Sequence, residues 1–213
     1  MLAGCLFCNP CDRTIIIIII IIIIITSIAG KMLSGEKIKQ ILYSVIEETG
    51  KKIIQVDVSS NIESSQKYID IIMSRFVRNH DSDIMFAILG EALLHFMLTI
   101  STLPSERKIE IKDGLTLDVV IPSLRSLSRD PSKSIIIQVI KDKNTDLNKV
   151  EKLEVLQPNT QNIWLISTRP LSIAKYTDYS MFPSYGSHKY SSIITDIDKF
   201  LKTMKDKSFR LIP

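Results

Sequence analysis

Asp118 stands alone in Leu117-Asp118-Val119-Val120-Ile121, one carboxylate among apolar residues on a strand-like run. A charge in that setting is costly unless it meets a cation or reaches the sheet edge, so it is either a paired group or a working one. Arg107, Lys108 and Lys112 lie across the adjoining hairpin and are the cross-strand partners open to it. Lys141 closes a second apolar run, Ile137-Gln138-Val139-Ile140-Lys141, either as a phosphate contact or, with Lys143, as a solvated strand end. Glu91 and His95 are four residues apart on a helical stretch and share one face. Such a histidine is read first as a hydrogen-bonded core residue with Glu91 as its structural partner.

Two further groups carry a chemical reading. Arg125, Arg129 and Lys133 lie among serines in the segment from Ser123 to Ser134, which reads as a phosphate-binding loop or as an exposed loop. Tyr176, Tyr179, Phe182, Tyr185 and Tyr190, with Lys175, His188 and Lys189, form either a stacking surface for single strands or a tail packed onto a sheet. Cys5, Cys8 and Cys11 have a spacing that lets thiolates share one ion, but they are isolated from a second ligand pair and read as free thiols. No Gly-rich phosphate loop, metalloprotease helix motif or Ser/His/Asp elbow is present.

The elements that must position these residues follow from hydrophobic period. Glu36–Thr49 reads as an amphipathic helix stopped by Gly50, and Lys52–Ser59 alternates as a short strand. Asn61–Asn79 is a second helix. Asp83–Ile100 is a third, apolar nearly all round and therefore buried. Beyond Pro104 the period changes. Arg107–Lys112 and Leu115–Ile121 flank Asp113-Gly114, a strong hairpin signal. Ile135–Ile140 is a strand buried on both faces, Asp146–Leu156 a helix, and Asn162–Thr168 another buried strand. The strand–helix–strand step implies a parallel crossover. Ser191–Lys205 closes the chain as an amphipathic helix.

A buried helix, a hairpin, a third strand, a helix and a parallel strand resemble the core of the PD-(D/E)XK nuclease superfamily over about Asp83–Thr168. The fold implied is α/β (α+β), a mixed β-sheet with an α-β-β-β-α-β core, an N-terminal helical segment and a C-terminal helix. In that family an Asp on the second strand and an acid on the third hold Mg²⁺, and a Lys two positions on contacts the water or the phosphate. The resemblance puts Asp118 and Lys141 in the catalytic roles, Asp118 and Glu91 as metal ligands, and Mg²⁺ as cofactor. The third-strand acid is missing: Val139 stands two before Lys141, and taking Gln138 as its replacement puts Ile140 at the Lys position. Strand alternation also sends Gln138 and Lys141 to opposite faces. The function implied is a nuclease-like domain that binds DNA or RNA, inactive or with weak metal-dependent phosphodiesterase activity. The alternative is a non-catalytic interaction or scaffold module with a protein partner.

Composition bounds the rest. The chain carries a net charge of +4, of which +3 lies beyond residue 31; this suits a polyanion partner but is far from a basic nucleic-acid arm. From Met32 onward there is no cysteine, which excludes a disulfide scaffold. Residues 1–31 read as a low-complexity extension containing eleven consecutive isoleucines, Ile15–Ile25. Three origins stand: a start at Met32 with the preceding run spurious, a membrane anchor over residues 14–30, or a cleaved signal. Residues 32–105 then form a helical segment packing on the core, and 106–213 the nuclease-like domain. The cysteine-free body fits the cytoplasm, with membrane attachment tied to retention of the isoleucine run. The expected N-terminal residue of the native protein is Met32, and intact-mass analysis that finds the isoleucine run retained overturns that expectation.

Overall fold

The computed structural model describes residues 35–77, 82–111, 114–184 and 187–209. The isoleucine run, the three cysteines, Lys112, Asp113 and Tyr185 lie outside the described residues. Residues 1–38 and 39–213 form separate compact units; of the first only 35–38, the opening turn of helix α1 (35–49), are described.

Within residues 39–213 the fold is α+β. Four helices precede or accompany the sheet: α1, α2 (Lys51–Ser60), α3 (Ser64–Val77) and α4 (Asp83–Ile100). Then come β1 (Glu106–Glu110), β2 (Thr116–Ile121), α5 (Leu124–Arg129), β3 (Ile135–Val139), α6 (Lys143–Leu153), β4 (Ile163–Ser167), β5 (Thr177–Ser180), β6 (His188–Lys189) and α7 (Ile193–Phe209). The strands join one mixed sheet in the order β1-β2-β3-β4-β5-β6. The first three pair antiparallel and the rest parallel. The expected α-β-β-β-α-β order is present as α4-β1-β2-β3-α6-β4, with α5 inserted between β2 and β3.

The sheet is covered on both faces. Val120, Ile136 and Leu165 pack with Leu127 of α5 and with Val150 and Leu153 of α6. On the other face Trp164 meets Tyr179 and the α7 residue Phe200, with ring centroids 5.1 and 6.4 Å apart. Helix α4 spans this side and is buried at Phe86, Leu89, Leu93, Leu94 and Met97, as its all-round apolar character requires. Phe86 then receives the edge of Phe76 from α3 at 5.7 Å. By length and composition α4 could cross a membrane, but here it is the central core helix.

Several local expectations are corrected. Lys52–Ser59 is helical, not extended. Ile54 and Val58, four residues apart, are buried while Ile53 and Val56 face solvent. Burying a fully enclosed Ile or Val is worth about 1.5–3 kcal/mol, against tenths for β-branched strand preference, so one helical stripe prevails. Gly50, at φ 98°, makes the left-handed turn that joins α1 to α2. The Ser123–Ser134 segment is no flexible loop. Ser123 accepts the Ser126 amide at 3.2 Å and starts α5, and a 3-10 turn follows at Pro131–Lys133. Gln157, fully buried, clamps this segment by donating to the carbonyls of Pro131 and Ser134, each at 2.8 Å.

The tail after β4 adds two parallel strands that its turn-rich composition conceals. Asp178 explains their seat: its carboxylate accepts from the Ser167 hydroxyl and the Leu171 amide, both at 2.7 Å, tying β5 to the end of β4. Most of the aromatic residues described there pack inward. Tyr176, Tyr179 and Tyr190 are buried and belong to the core, while Phe182 stays exposed with one edge contact to Phe86 at 5.0 Å. Tyr190 donates to the Gly90 carbonyl of α4 at 2.6 Å, anchoring the tail to the central helix. Tyr190→Phe keeps the packing and loses that bond; the expected effect is a loss of about 1 kcal/mol in urea denaturation with an unchanged m-value.

Candidate functional site

The β2–β3 ladder runs from Ile121↔Ile135 to Val119↔Ile137 and stops, although β2 begins at Thr116 and β3 continues to Val139. Where the backbones part, side chains take over. Asp118 accepts the Val139 amide on Oδ2 at 2.9 Å, and its own amide donates to Gln138 Oε1 at 3.3 Å. A buried carboxylate thus caps a strand amide that the ladder leaves free, which accounts for its tolerance among apolar residues. The parting strands open a cleft of about 930 Å³.

On the other side of β2, the register Arg107↔Val119 and Ile109↔Leu117 sets Lys108 opposite Asp118. Lys108 Nζ lies 2.6 Å from Asp118 Oδ1 and 2.5 Å from Glu91 Oε1 of α4. Lys141 Nζ holds the other Glu91 oxygen at 2.7 Å. One buried carboxylate, one half-buried carboxylate and two half-exposed ammonium groups therefore form one chain, Asp118–Lys108–Glu91–Lys141. Lys108 is the cross-strand partner; Arg107 turns away and donates to Thr99 Oγ1 at 2.8 Å. Lys108 has φ 50°, a left-handed conformation uncommon for a residue with a side chain and costing on the order of 1 kcal/mol.

The electrostatics keep Glu91 and Lys108 charged. Burial alone pushes the Glu91 carboxyl upward, but the hydrogen bonds and charges of Lys108 and Lys141 outweigh it and hold it below 4.5. Burial likewise favours neutral Lys108, yet the bonds to Asp118 and Glu91 raise it above 10.5. His95 is corrected relative to its expectation: its buried Nε2 finds no hydrogen-bond partner among the described residues. Burial and the charge of Arg107 push that imidazole below 6.5 and keep it neutral.

Asp118 and Lys141 thus line one cleft, and Glu91, outside its lining, is joined to them through Lys108 and Lys141. The expected opposition of Gln138 and Lys141 is also corrected, since both line the cleft. β3 ends at Val139, and alternation imposes nothing on a residue two positions past the strand. Lys141 is instead placed by Asp146 of α6, whose Oδ2 accepts the amides of Lys141 and Asp142 at 2.8 and 2.9 Å. Burial works against that carboxylate, but the two amides and Lys149 hold it below 3.8. Arg125, Arg129 and Lys133 do not line the cleft; they sit on α5 and the following turn, where Lys133 pairs with Asp130 at 3.1 Å.

Sequence reasoning missed Lys149 and Lys152 of α6, which join Lys108 and Lys141 on the cleft wall. Their i, i+3 spacing on a predicted helix was the available signal. Lys149 leans on Asp146 at 3.2 Å, and Lys152 makes no ion pair among the described residues. Ile111, Leu115, Val155 and Leu156 supply an apolar side.

With Lys108 in place the donor set does not fit a divalent cation. Mg²⁺ takes six oxygen ligands, commonly one or two carboxylates and several waters. Here both carboxylates that approach each other are bonded to one ammonium group, while Gln138 donates to the Thr116 carbonyl at 3.4 Å and accepts from Asp118. Among the described residues no group of three or more His, Cys, Asp or Glu can share a metal.

No family model matches the chain, and no curated protein matches it. Among solved structures it is similar to the restriction endonuclease PspGI–substrate DNA complex, at 13% identity and a TM-score of 0.49, over 78% of this chain and 93% of that one.

Glu91→Gln leaves Lys108 and Lys141 facing a neutral amide; the expected loss is about 1–3 kcal/mol near neutral pH. The sign with pH follows from the two groups. A depressed Glu91 contributes above the unfolded value of 4.5 and is lost as pH falls through its lower folded value. A raised Lys108 contributes below 10.5 and is lost as pH rises through its higher folded value. Denaturation of both proteins across pH should show the gap widest between those limits and closing in acid.

Proposed function

We propose that this protein binds nucleic acid through the β2–β3 cleft and that its nuclease-like centre has lost metal-dependent catalysis. The observation that supports binding is the cleft wall itself: Lys108, Lys141, Lys149 and Lys152 against Asp118 and Asp146, with Lys152 unpaired among the described residues. A phosphate backbone is the polyanion that such a row of ammonium groups suits, and the apolar side from Ile111, Leu115, Val155 and Leu156 offers a surface to a base or sugar. The reading of lost catalysis rests on Val139 and Gln138 standing where the family carries its acid, and on both carboxylates being engaged by Lys108.

A second reading, a protein-interaction module, has its own observation. Tyr43 of α1 and Ile53 and Val56 of α2 are more than half exposed, apolar side chains open to a protein partner. The two readings are compatible, since the cleft and these helices are different surfaces.

Fluorescence anisotropy with short single- and double-stranded DNA and RNA tests the binding. The expected affinity falls steeply with salt, and Lys149→Ala/Lys152→Ala weakens it for all sequences while reducing the log K–log salt slope by about two. Absence of salt-sensitive binding removes the proposal in favour of the interaction module. Incubation of the same substrates with Mg²⁺ or Mn²⁺ should give no cleavage; cleavage abolished by Asp118→Ala would restore the enzyme.

A further inference from the structure

Lys108 is the least expected member of the cluster. It lies on edge strand β1, its backbone is in the left-handed region, and its ammonium nitrogen touches an oxygen of each carboxylate, 2.5 Å from Glu91 and 2.6 Å from Asp118. One cation within contact distance of two carboxylates from different elements is the position a bridging metal ion takes. We propose that Lys108 is the resident cation of this pair, closing it to divalent metals, and that removing its charge opens a Mg²⁺/Mn²⁺ site on Glu91 and Asp118.

Three observations carry this. The two carboxylates are already balanced by two ammonium groups, because Lys141 takes the second Glu91 oxygen at 2.7 Å. A divalent ion added to that set leaves two uncompensated positive charges in a half-buried cluster, so it can enter only by displacing an ammonium. Next, Lys108 is tethered: its strand pairs with β2 on either side of it, so the ammonium is held at the carboxylates with no translational entropy to lose. Finally, the carboxylates approach one point from α4 and β2, each with an oxygen on Lys108 Nζ. The ligand geometry of a cation site persists while its cation is supplied by the chain. The inference deepens the loss of metal chemistry proposed above and does not depend on nucleic-acid binding, so failure of either leaves the other standing.

Mn²⁺ is the probe, titrated into the full chain and followed by loss of the free-ion electron paramagnetic resonance signal. Wild type is expected to show no saturable site. Lys108→Met is expected to gain one, on the order of a hundredfold tighter than any wild-type binding, and to lose it again when Asp118→Asn or Glu91→Gln is added. Lys108→Arg, which keeps the charge, is expected to stay closed. Saturable Mn²⁺ binding by wild type that Asp118→Asn removes would overturn the proposal. So would a folded Lys108→Met, judged by circular dichroism, that binds none, or a Lys108→Arg that binds as well as Lys108→Met. Lys108→Gln, neutral and able to hydrogen-bond both carboxylates, replaces Lys108→Met if that variant fails to fold, and the same outcomes decide.

Discussion

The parting of β2 from β3 after the Val119–Ile137 pair is the constraint on which the site depends. Two adjacent strands that separate inside a sheet leave main-chain amides without partners, and a buried amide needs one. Asp118 and Gln138 fill the gap with side-chain atoms, so the carboxylate is structural before it is anything else. That duty holds the Asp118 carboxylate beneath the surface, where it needs a cationic partner. Lys108 answers from β1, Glu91 is drawn in by Lys108, and Lys141 by Glu91. The cleft and its cationic wall follow from one interrupted ladder.

The same chain of compensation separates two kinds of lysine. Lys108 and Lys141 are committed to carboxylates, and their charges hold the cluster together. Lys149 shares Asp146, and Lys152 is left to meet whatever enters. The α6 lysines are therefore the less committed cations of the cleft wall, and the Asp118–Lys108–Glu91–Lys141 chain is its scaffold. The cation that joins Asp118 and Glu91 is supplied by the chain itself, as Lys108.

Legibility differed by element for physical reasons. Helix α4 was readable to the residue because eighteen mostly apolar positions leave no polar stripe for water and must be covered nearly all round. The buried strands β3 and β4 were readable from short β-branched runs. Lys52–Ser59 was misread because Ile53, Ile54, Val56 and Val58 satisfy a two-residue and a four-residue period together, and only the surface they meet selects one. β5 and β6 were invisible because their pairing rests on Asp178 and on a neighbouring parallel strand, neither of which leaves a local pattern. Lys141 appeared barred from the site while β3 was taken to run through it; the end of the strand at Val139 removed the bar.

By itself the sequence determined the layered α+β order, the oddity of a lone carboxylate at Asp118, and the absence of an acid at Val139, because periodicity and residue type are properties of the chain. Tertiary structure alone decided that Lys108, not Arg107, meets Asp118, that Glu91 reaches both lysines from a distant helix, and that Lys149 and Lys152 face the same cleft. Those are contacts among α4, β1, β2 and α6, and which charges compensate one another depends on distances that folding alone creates.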